Sequence, residues 1–177
     1  KAIKGENDLQ TLFPELAKEA DGWDPSELLP QSSKKVGWKC SLGHQWEAVV
    51  SSRMRTGCPY CAGNKALLGF NTFLDRFPEI AKEADGWDPG TVTFGSKKKQ
   101  RWKCELGHTW EAAPYSRQGK GCPICAGKTI LQGFNDLLSQ FPEVAKEADG
   151  WDPATTHAGG HAKKPWVCSE GHKWVTT

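Results

Sequence analysis

The chain has 177 residues, and its 23 lysines and arginines against 21 aspartates and glutamates give a formal net charge of +2. This balance excludes the large overall positive charge that would by itself attract nucleic acid. No apolar run is long enough to cross a membrane, and no signal-peptide pattern opens the chain.

Three copies of a helical segment are predicted along the chain. Each opens on a Gly-x-Asn triplet, in which Asn71 and Asn135 stand where a helix N-cap is expected. The apolar residues that follow Asn135 keep helical spacing. A proline interrupts each run and predicts two short helices, with the proline in the first turn of the second. These prolines are Pro14, Pro78 and Pro142, and the glycines predicted to cap the helical segments are Gly22, Gly86 and Gly150.

A β-hairpin is predicted after each helical segment. The residues around Trp38 and those from 46 to 50 alternate between apolar and polar side chains, which indicates two short strands. The turn between them contains Cys40 and His44. In the second copy Pro114 cannot donate to a strand ladder, so an edge position is predicted for that strand.

A period of 64 residues relates these copies. Cys40, Cys104 and Cys168 are each 64 residues apart, and all seven cysteines fall within the repeated motif. Such a fixed period predicts a repeat architecture. The predicted repeats span residues 1–63, 64–127 and 128–177. The first is cut at its N-terminal helical segment and the third at its C-terminal end, as in a section of a longer array.

The cysteines and histidines form the strongest motif. Each complete copy joins Cys-x-x-x-His to Cys-Pro-x-Cys, with the same gap between the two halves. Thiolates with one imidazole suit Zn²⁺, and a closed set of four protein ligands is typical of a structural site. Iron in a rubredoxin-like site is the alternative, but it prefers four thiolates. The predicted zinc ligands are Cys40, His44, Cys58, Cys61, Cys104, His108, Cys122 and Cys125, with Cys168 and His172 as an incomplete third site.

One of the cysteine pairs also resembles a redox centre. Cys58-Pro-Tyr-Cys61 has the tetrapeptide of glutaredoxins, but the second copy reads Cys122-Pro-Ile-Cys125 and no βαβ pattern surrounds either. Paired cysteines with a histidine at fixed offset favour metal binding over disulfides. The sequence therefore predicts the cytoplasm or another reducing intracellular compartment.

Tryptophans and basic residues are the candidates for a binding surface. The nine tryptophans occur three per repeat; they could stack on bases, but core packing is favoured for Trp38, Trp46 and their copies, because a small repeat has little else to bury. Basic residues cluster away from the acidic ones, which indicates either a face for phosphates or a solvated loop. The candidate nucleic-acid-binding residues are Lys34, Lys35, Arg53, Lys98, Lys99, Arg101, Arg117, Lys163 and Lys164.

The motif Trp-Lys-Cys-x-Leu-Gly-His-x-Trp-Glu-Ala followed by Gly-Cys-Pro-x-Cys-Ala-Gly resembles the "probable zinc-ribbon" repeat family. Members of that family occur in tandem, and some are fused to endonuclease domains like those of very-short-patch repair, which implies DNA binding. The resemblance covers nearly the whole chain and implies zinc ligands at both complete tetrads. In the last repeat it implies only Cys168 and His172.

The fold expected is a tandem of small α+β zinc-stabilised repeats, each a zinc ribbon or treble clef with a β-hairpin and one or two short helices. The function expected is a modular array that binds nucleic acid, DNA in particular, and targets or anchors a larger protein. The alternative is a structural or protein-interaction scaffold within a larger assembly. Neither hypothesis involves a membrane, a small-molecule substrate or catalysis, because every motif cysteine and histidine is used as a ligand.

Overall fold

The computed structural model describes residues 1–177 and contains three copies of a short helix pair followed by a two-stranded antiparallel hairpin. The helices are α1 (Leu9–Leu12), α2 (Pro14–Ala17), α3 (Val50–Arg53), α4 (Phe73–Arg76), α5 (Pro78–Ala81), α6 (Pro114–Arg117), α7 (Leu137–Gln140) and α8 (Pro142–Ala145). The strands are β1 (Lys35–Lys39), β2 (Gln45–Val49), β3 (Gln100–Lys103), β4 (Thr109–Ala112), β5 (Lys164–Val167) and β6 (Lys173–Thr176). Each copy also has a 3₁₀ turn, at Pro25–Glu27, Pro89–Thr91 and Pro153–Thr155. None of the helices is both long and apolar enough to span a bilayer.

The prolines divide each helical segment as predicted. Pro14 is the first residue of α2, and Phe13 before it has left the helical region at φ −138°. Proline fits there because the first helical N–H has no partner to lose. Two related predictions are wrong, however. The N-caps lie one residue later than expected, at Thr72 and Asp136, whose side chains accept from the backbone N–H of the third helical residue.

The predicted glycine caps also lie elsewhere. Helix α2 ends at Ala17 with Lys18 as its C-cap, so Gly22 is beyond the helix. Gly22 has a φ of +77° and occupies a turn where the chain approaches the hairpin. Just before it, the N–H of Lys39 donates to the Glu19 carbonyl and the N–H of Asp21 donates to the Gly37 carbonyl. This segment thus extends the edge of the hairpin, and the same bonds recur in the other two copies.

The hairpins place paired tryptophans opposite each other. Trp38 faces Trp46 across β1 and β2, and the same register holds in the other two hairpins. Cross-strand aromatic pairs stabilise a hairpin that is too small to stand alone. The prediction for Pro114 is wrong: β4 already ends at Ala112, and Pro114 is the first residue of α6.

The chain divides into two compact units, each of which contains one complete cysteine–histidine motif. The first comprises Lys1–Ala81 with Asp88–Ser96, and the second comprises Lys82–Trp87 with Lys97–Thr177. The core of the first is built on residues that share near-complete burial, namely Leu9, Val36, Trp38, Trp46, Val50 and Cys58. In the second the corresponding buried residues include Trp102, Ala113, Cys122, Ile124, Leu137 and Trp166.

Candidate metal centre

The hairpin turn brings the first two ligands of each motif together. In the first unit the N–H of Cys40 donates to the carbonyl of His44 (3.0 Å), and the N–H of Gly43 donates back to the carbonyl of Cys40 (2.9 Å). Gly43 has a φ of +83°, a conformation that glycine adopts without a steric penalty. The strands therefore hold the thiol and the imidazole on the same side of the turn.

The second pair of ligands comes from a compact loop. The N–H of Ala62 donates to the Cys58 carbonyl (3.0 Å), and both Asn64 and Lys65 donate their N–H to the Pro59 carbonyl (2.8 and 3.1 Å). These bonds curl the backbone around Cys58 and Cys61 so that both sulfurs point inward. The Cys122 loop has the same pattern.

The four side chains meet at one point in each unit. The ligand atoms of Cys40, His44, Cys58 and Cys61 all lie within 4.8 Å of one another. The Nδ1 atom of His44 is 3.5, 3.7 and 3.3 Å from the sulfurs of Cys40, Cys58 and Cys61, respectively. The sulfurs of Cys40 and Cys61 are 3.9 Å apart, far beyond the length of a disulfide bond.

The second tetrad repeats this geometry. The Nδ1 atom of His108 is 3.5, 3.8 and 3.2 Å from the sulfurs of Cys104, Cys122 and Cys125. The Cys104 and Cys125 sulfurs are 3.8 Å apart. A tetrahedral zinc ion with Zn–S bonds of about 2.3 Å would separate its sulfurs by about 3.8 Å. The donor set and its spacing therefore fit zinc, and they use both cysteines of each Cys-Pro-x-Cys pair as members of a tetrad.

The pKa values of the thiols shift in opposite directions within each tetrad. Burial raises the pKa of Cys40, but hydrogen bonds from the backbone at Leu42 and His44 and from the Cys58 and Cys61 thiols together bring that pKa below its ordinary value. Burial and the neighbouring Cys58 and Cys40 thiols raise the pKa of Cys61 to about 12. The pKa of Cys125 rises to about 11 for the same reasons. Three thiolates at this spacing thus need a cation, which a divalent metal would supply.

Residues from the following repeat contact each tetrad, and the sequence did not predict these contacts. The ring of Phe70 lies 4.3 Å from the His44 imidazole, and the ring of Phe134 lies 4.3 Å from that of His108. Asn71 is 4% exposed and binds the cysteine loop instead of capping a helix. The constant distance between each Cys-Pro-x-Cys and the next Gly-Phe-Asn was the only sequence signal for these contacts.

The third copy brings only two candidate ligands together. The N–H of Cys168 donates to the His172 carbonyl (3.1 Å), so the hairpin turn is the same as in the other copies. Cys168 is half-buried and His172 is exposed. Neither belongs to a cluster of three or more ligand side chains.

The tryptophans have structural contacts in every copy. Trp38 and Trp102 are 0% exposed, and their indole N–H groups donate to the carbonyls of Ala48 and Ala112 across the hairpin. Trp23 packs edge-on against Trp38 with ring centroids 5.1 Å apart. Among Trp38, Trp46 and their copies, which were predicted to pack in the core, Trp174 is the most exposed, at 39%.

The basic residues predicted to bind nucleic acid divide into two groups. Arg53 and Arg117 lie inside their units, where they pair with Glu19 and Glu83 and pack over tryptophan rings. Paired and packed in this way, the two guanidinium groups do not offer the exposed charge that phosphate binding was expected to use. The lysines and Arg101 lie at or before the first strand of each hairpin, and of these only Lys164 is half-buried. Lys35 pairs with Glu47 at 2.6 Å and Arg101 with Asp85 at 2.7 Å.

A β-hairpin, a cysteine–histidine turn on it, and a second cysteine pair on a short loop define a treble-clef zinc finger, here in tandem. Comparison with known families agrees with the geometry. The profile described as "Probable Treble clef zinc finger domain" matches residues 12–64 and 79–128. The chain therefore belongs to this family.

A curated relative gives a further comparison. The chain is 26% identical over 96 residues to a protein of Escherichia phage T5 named "Putative endonuclease". The match covers 51% of this chain and 32% of the phage protein, so the chain spans about a third of that relative's length.

Proposed function

We propose that the two tetrads each hold one zinc ion and that the resulting array binds nucleic acid. Cys40, His44, Cys58 and Cys61 would hold the first ion, and the copies 64 residues later would hold the second. In such a closed site, zinc joins the hairpin turn to the cysteine loop and contributes directly to the folding free energy. With all four positions filled by protein, no position is left for water or substrate, so a structural and not a catalytic metal is proposed.

The observation that carries nucleic acid binding is the recurrence of exposed lysines at the same position in each repeat. Lys35, Lys99 and Lys163 are equivalent in the period, and all three are exposed. Lys99 and Lys163 have no carboxylate partner, whereas Lys35 pairs with Glu47 and the neighbouring Lys34 is also exposed. Each lies next to a hairpin whose shape the proposed zinc would fix. When phosphate groups bind such lysines, counterions condensed on the nucleic acid are released, and this release favours binding. The name of the phage relative adds support for nucleic acid as the partner.

Duplex DNA is the nucleic acid proposed, bound as part of a targeting or anchoring module of a larger protein. The near-neutral net charge argues that binding depends on this local arrangement and not on overall attraction. The module is proposed to be non-enzymatic and to work in the cytoplasm or another reducing compartment, where the thiols stay available for metal.

The experiment that tests this proposal is a salt titration of binding to a labelled duplex by the zinc-loaded chain. Binding should weaken steeply between about 50 and 200 mM salt, with a log–log slope near the number of phosphates contacted. The same chain after removal of its metal serves as the control and should lose this binding. Absence of binding at low salt, or binding that salt does not affect, would contradict the proposal.

A protein-interaction scaffold is the second candidate, and exposed apolar residues on the helical segments favour it. The exposed fraction of each of these residues is 39% or more. They are Leu12, Phe13, Leu74, Leu138, Phe141 and Val144. Surface patches of this kind mark protein contacts when they are contiguous. The scaffold hypothesis predicts the same zinc content with no response to DNA, so the salt titration distinguishes the two candidates.

A further inference from the structure

The segment that follows each tetrad contacts it from two directions. The rings of Phe70 and His44 are 4.3 Å apart and inclined at 60°, and those of Phe134 and His108 are 4.3 Å apart and inclined at 65°. Phe70 is 40% exposed, so its ring covers the imidazole from the outside and is not part of the core. A ring at this distance restricts the plane of the imidazole, and with it the direction of the Nδ1 lone pair.

The neighbouring asparagine holds the loop that carries the other two ligands. The side-chain amide of Asn71 donates to the carbonyl of Tyr60 (2.8 Å), which lies between Cys58 and Cys61, and to that of Lys65 (2.9 Å). Its Oδ1 accepts from the N–H of Leu67 (2.7 Å). Both N–H donors of this buried amide are therefore directed at the loop.

The second copy makes the same three bonds. Asn135 donates to the carbonyls of Ile124 and Thr129 (both 2.9 Å) and accepts from the N–H of Leu131 (2.7 Å). It is 7% exposed. Repetition in two independent copies indicates that these bonds are a built feature of the site.

The first Gly-x-Asn triplet separates the role of the ring from that of the turn. There Glu6 stands in place of the phenylalanine, yet Asn7 still accepts from the N–H of Ile3 (2.7 Å) and Asp8 still caps α1. The turn and the helix cap therefore form without an aromatic ring. The ring at the other two copies is explained by the imidazole it contacts.

We infer that Phe70 with Asn71, and Phe134 with Asn135, are positioning residues of the metal centre in the preceding repeat. Each pair orients one imidazole and one cysteine loop, and it directly precedes the residue that caps the next helix, Thr72 or Asp136. This inference rests on metal binding by the tetrads and is independent of nucleic acid binding.

The test measures metal release at each site separately within the full chain. The zinc-loaded protein is mixed with excess chelator and iodoacetamide, and alkylation of each cysteine is followed by peptide mass spectrometry. Phe70→Leu and Asn71→Ala should speed alkylation of Cys58 and Cys61 by about 10- to 100-fold, as typical for partners of metal ligands. The cysteines at 122 and 125 should keep the rate of the unchanged chain.

The mirror variants Phe134→Leu and Asn135→Ala should speed alkylation at the second site alone, and Phe70→Tyr, which keeps the ring, should retain the original rate. Because Phe70 and Phe134 are partly exposed, the phenylalanine variants are expected to fold, and they test the inference independently of the variants at the buried asparagines. Equal effects at both sites, or none at either, would overturn the inference. If the unchanged chain showed no protection by zinc at either tetrad, the proposed metal binding itself would fail.

Discussion

Arg117 forms an ion pair with Glu83, and its guanidinium lies over the rings of Trp102 and Trp110, 4.9 and 5.1 Å from their centroids. The arginine comes from α6, just before the cysteine loop, and the glutamate from the segment that extends the hairpin edge. The Nε and Nη1 atoms of Arg117 are buried without hydrogen-bond partners. Contact with the indole faces therefore offsets the cost of removing the guanidinium from water. Burial lowers the pKa of Arg117 below its ordinary value, and the nearby Glu83 and Cys122 offset this only in part; an arginine side chain still stays charged.

Replacing this arginine should therefore destabilise its unit. Arg117→Ala leaves a partly buried carboxylate and an empty space between two indoles, and we expect a loss of about 3 kcal/mol in unfolding free energy. Arg117→Lys should recover only part of it, because an ammonium neither stacks nor forms a planar pair. Denaturant unfolding of the zinc-loaded chain measures both. The exposed Arg55→Ala is the control and should change stability by less than about 0.5 kcal/mol.

Thr72 gives a second stability prediction. Its hydroxyl accepts from the N–H of Asp75 (3.2 Å), and the Asp75 carboxylate accepts from the N–H of Thr72 (3.0 Å) to complete a capping box. Thr72 is 0% exposed, so Thr72→Val preserves the packing and removes the cap, together with the bond that the hydroxyl donates to the Asp75 carboxylate (2.6 Å). A loss of about 1 kcal/mol is expected in the unfolding free energy. Thr109→Val, on the exposed face of β4, should have no comparable effect.

The reactivity of the thiols should distinguish the third cysteine–histidine turn from the two tetrads. In the zinc-loaded chain a thiol reagent should react quickly with Cys168 alone, because its turn contributes only two candidate ligands. After chelation all seven cysteines should react. Rapid reaction of several thiols before chelation would contradict closed tetrads. Slow reaction of Cys168 before chelation would contradict the expected difference between this turn and the two tetrads.

Lysine variants test which surface faces the DNA. Lys99→Gln with Lys163→Gln should reduce the log–log salt slope of duplex binding by about 2, since each phosphate contact contributes about 0.9. Lys18→Gln with Lys146→Gln removes the same charge from the helical segments, where both lysines pair with glutamates. That control should leave the slope nearly unchanged. Equal effects of the two variants would mean that binding follows net charge and not this surface.

Much of the fold was predictable because its signals are local. Alternating residues beside a cysteine turn predicted the hairpins, and Pro14 predicted the division of the helix pair. The cap positions were not predictable to the residue, since Asn71 and Thr72 are both good cap residues. In the structure the Asn71 amide donates to carbonyls of the cysteine loop, and Thr72 caps the helix.

The tetrads were predictable from ligand type and spacing, but the roles of other charged residues were not. Arg53 and Arg117 have the sequence context of surface residues, and only the tertiary structure brings Glu19 and Glu83 to them. Periodicity identifies which residues are equivalent between repeats. It carries no information on whether a charged side chain faces water or an indole ring.

The central claim is that each tetrad is a closed zinc site, and metal analysis of the purified chain tests it most directly. Elemental analysis combined with native mass spectrometry should find two zinc ions per chain. Cys40→Ser and Cys104→Ser should each leave one, and the double variant should leave none. A chain that retains its fold and holds no zinc, or one that holds iron in its place, would contradict the account.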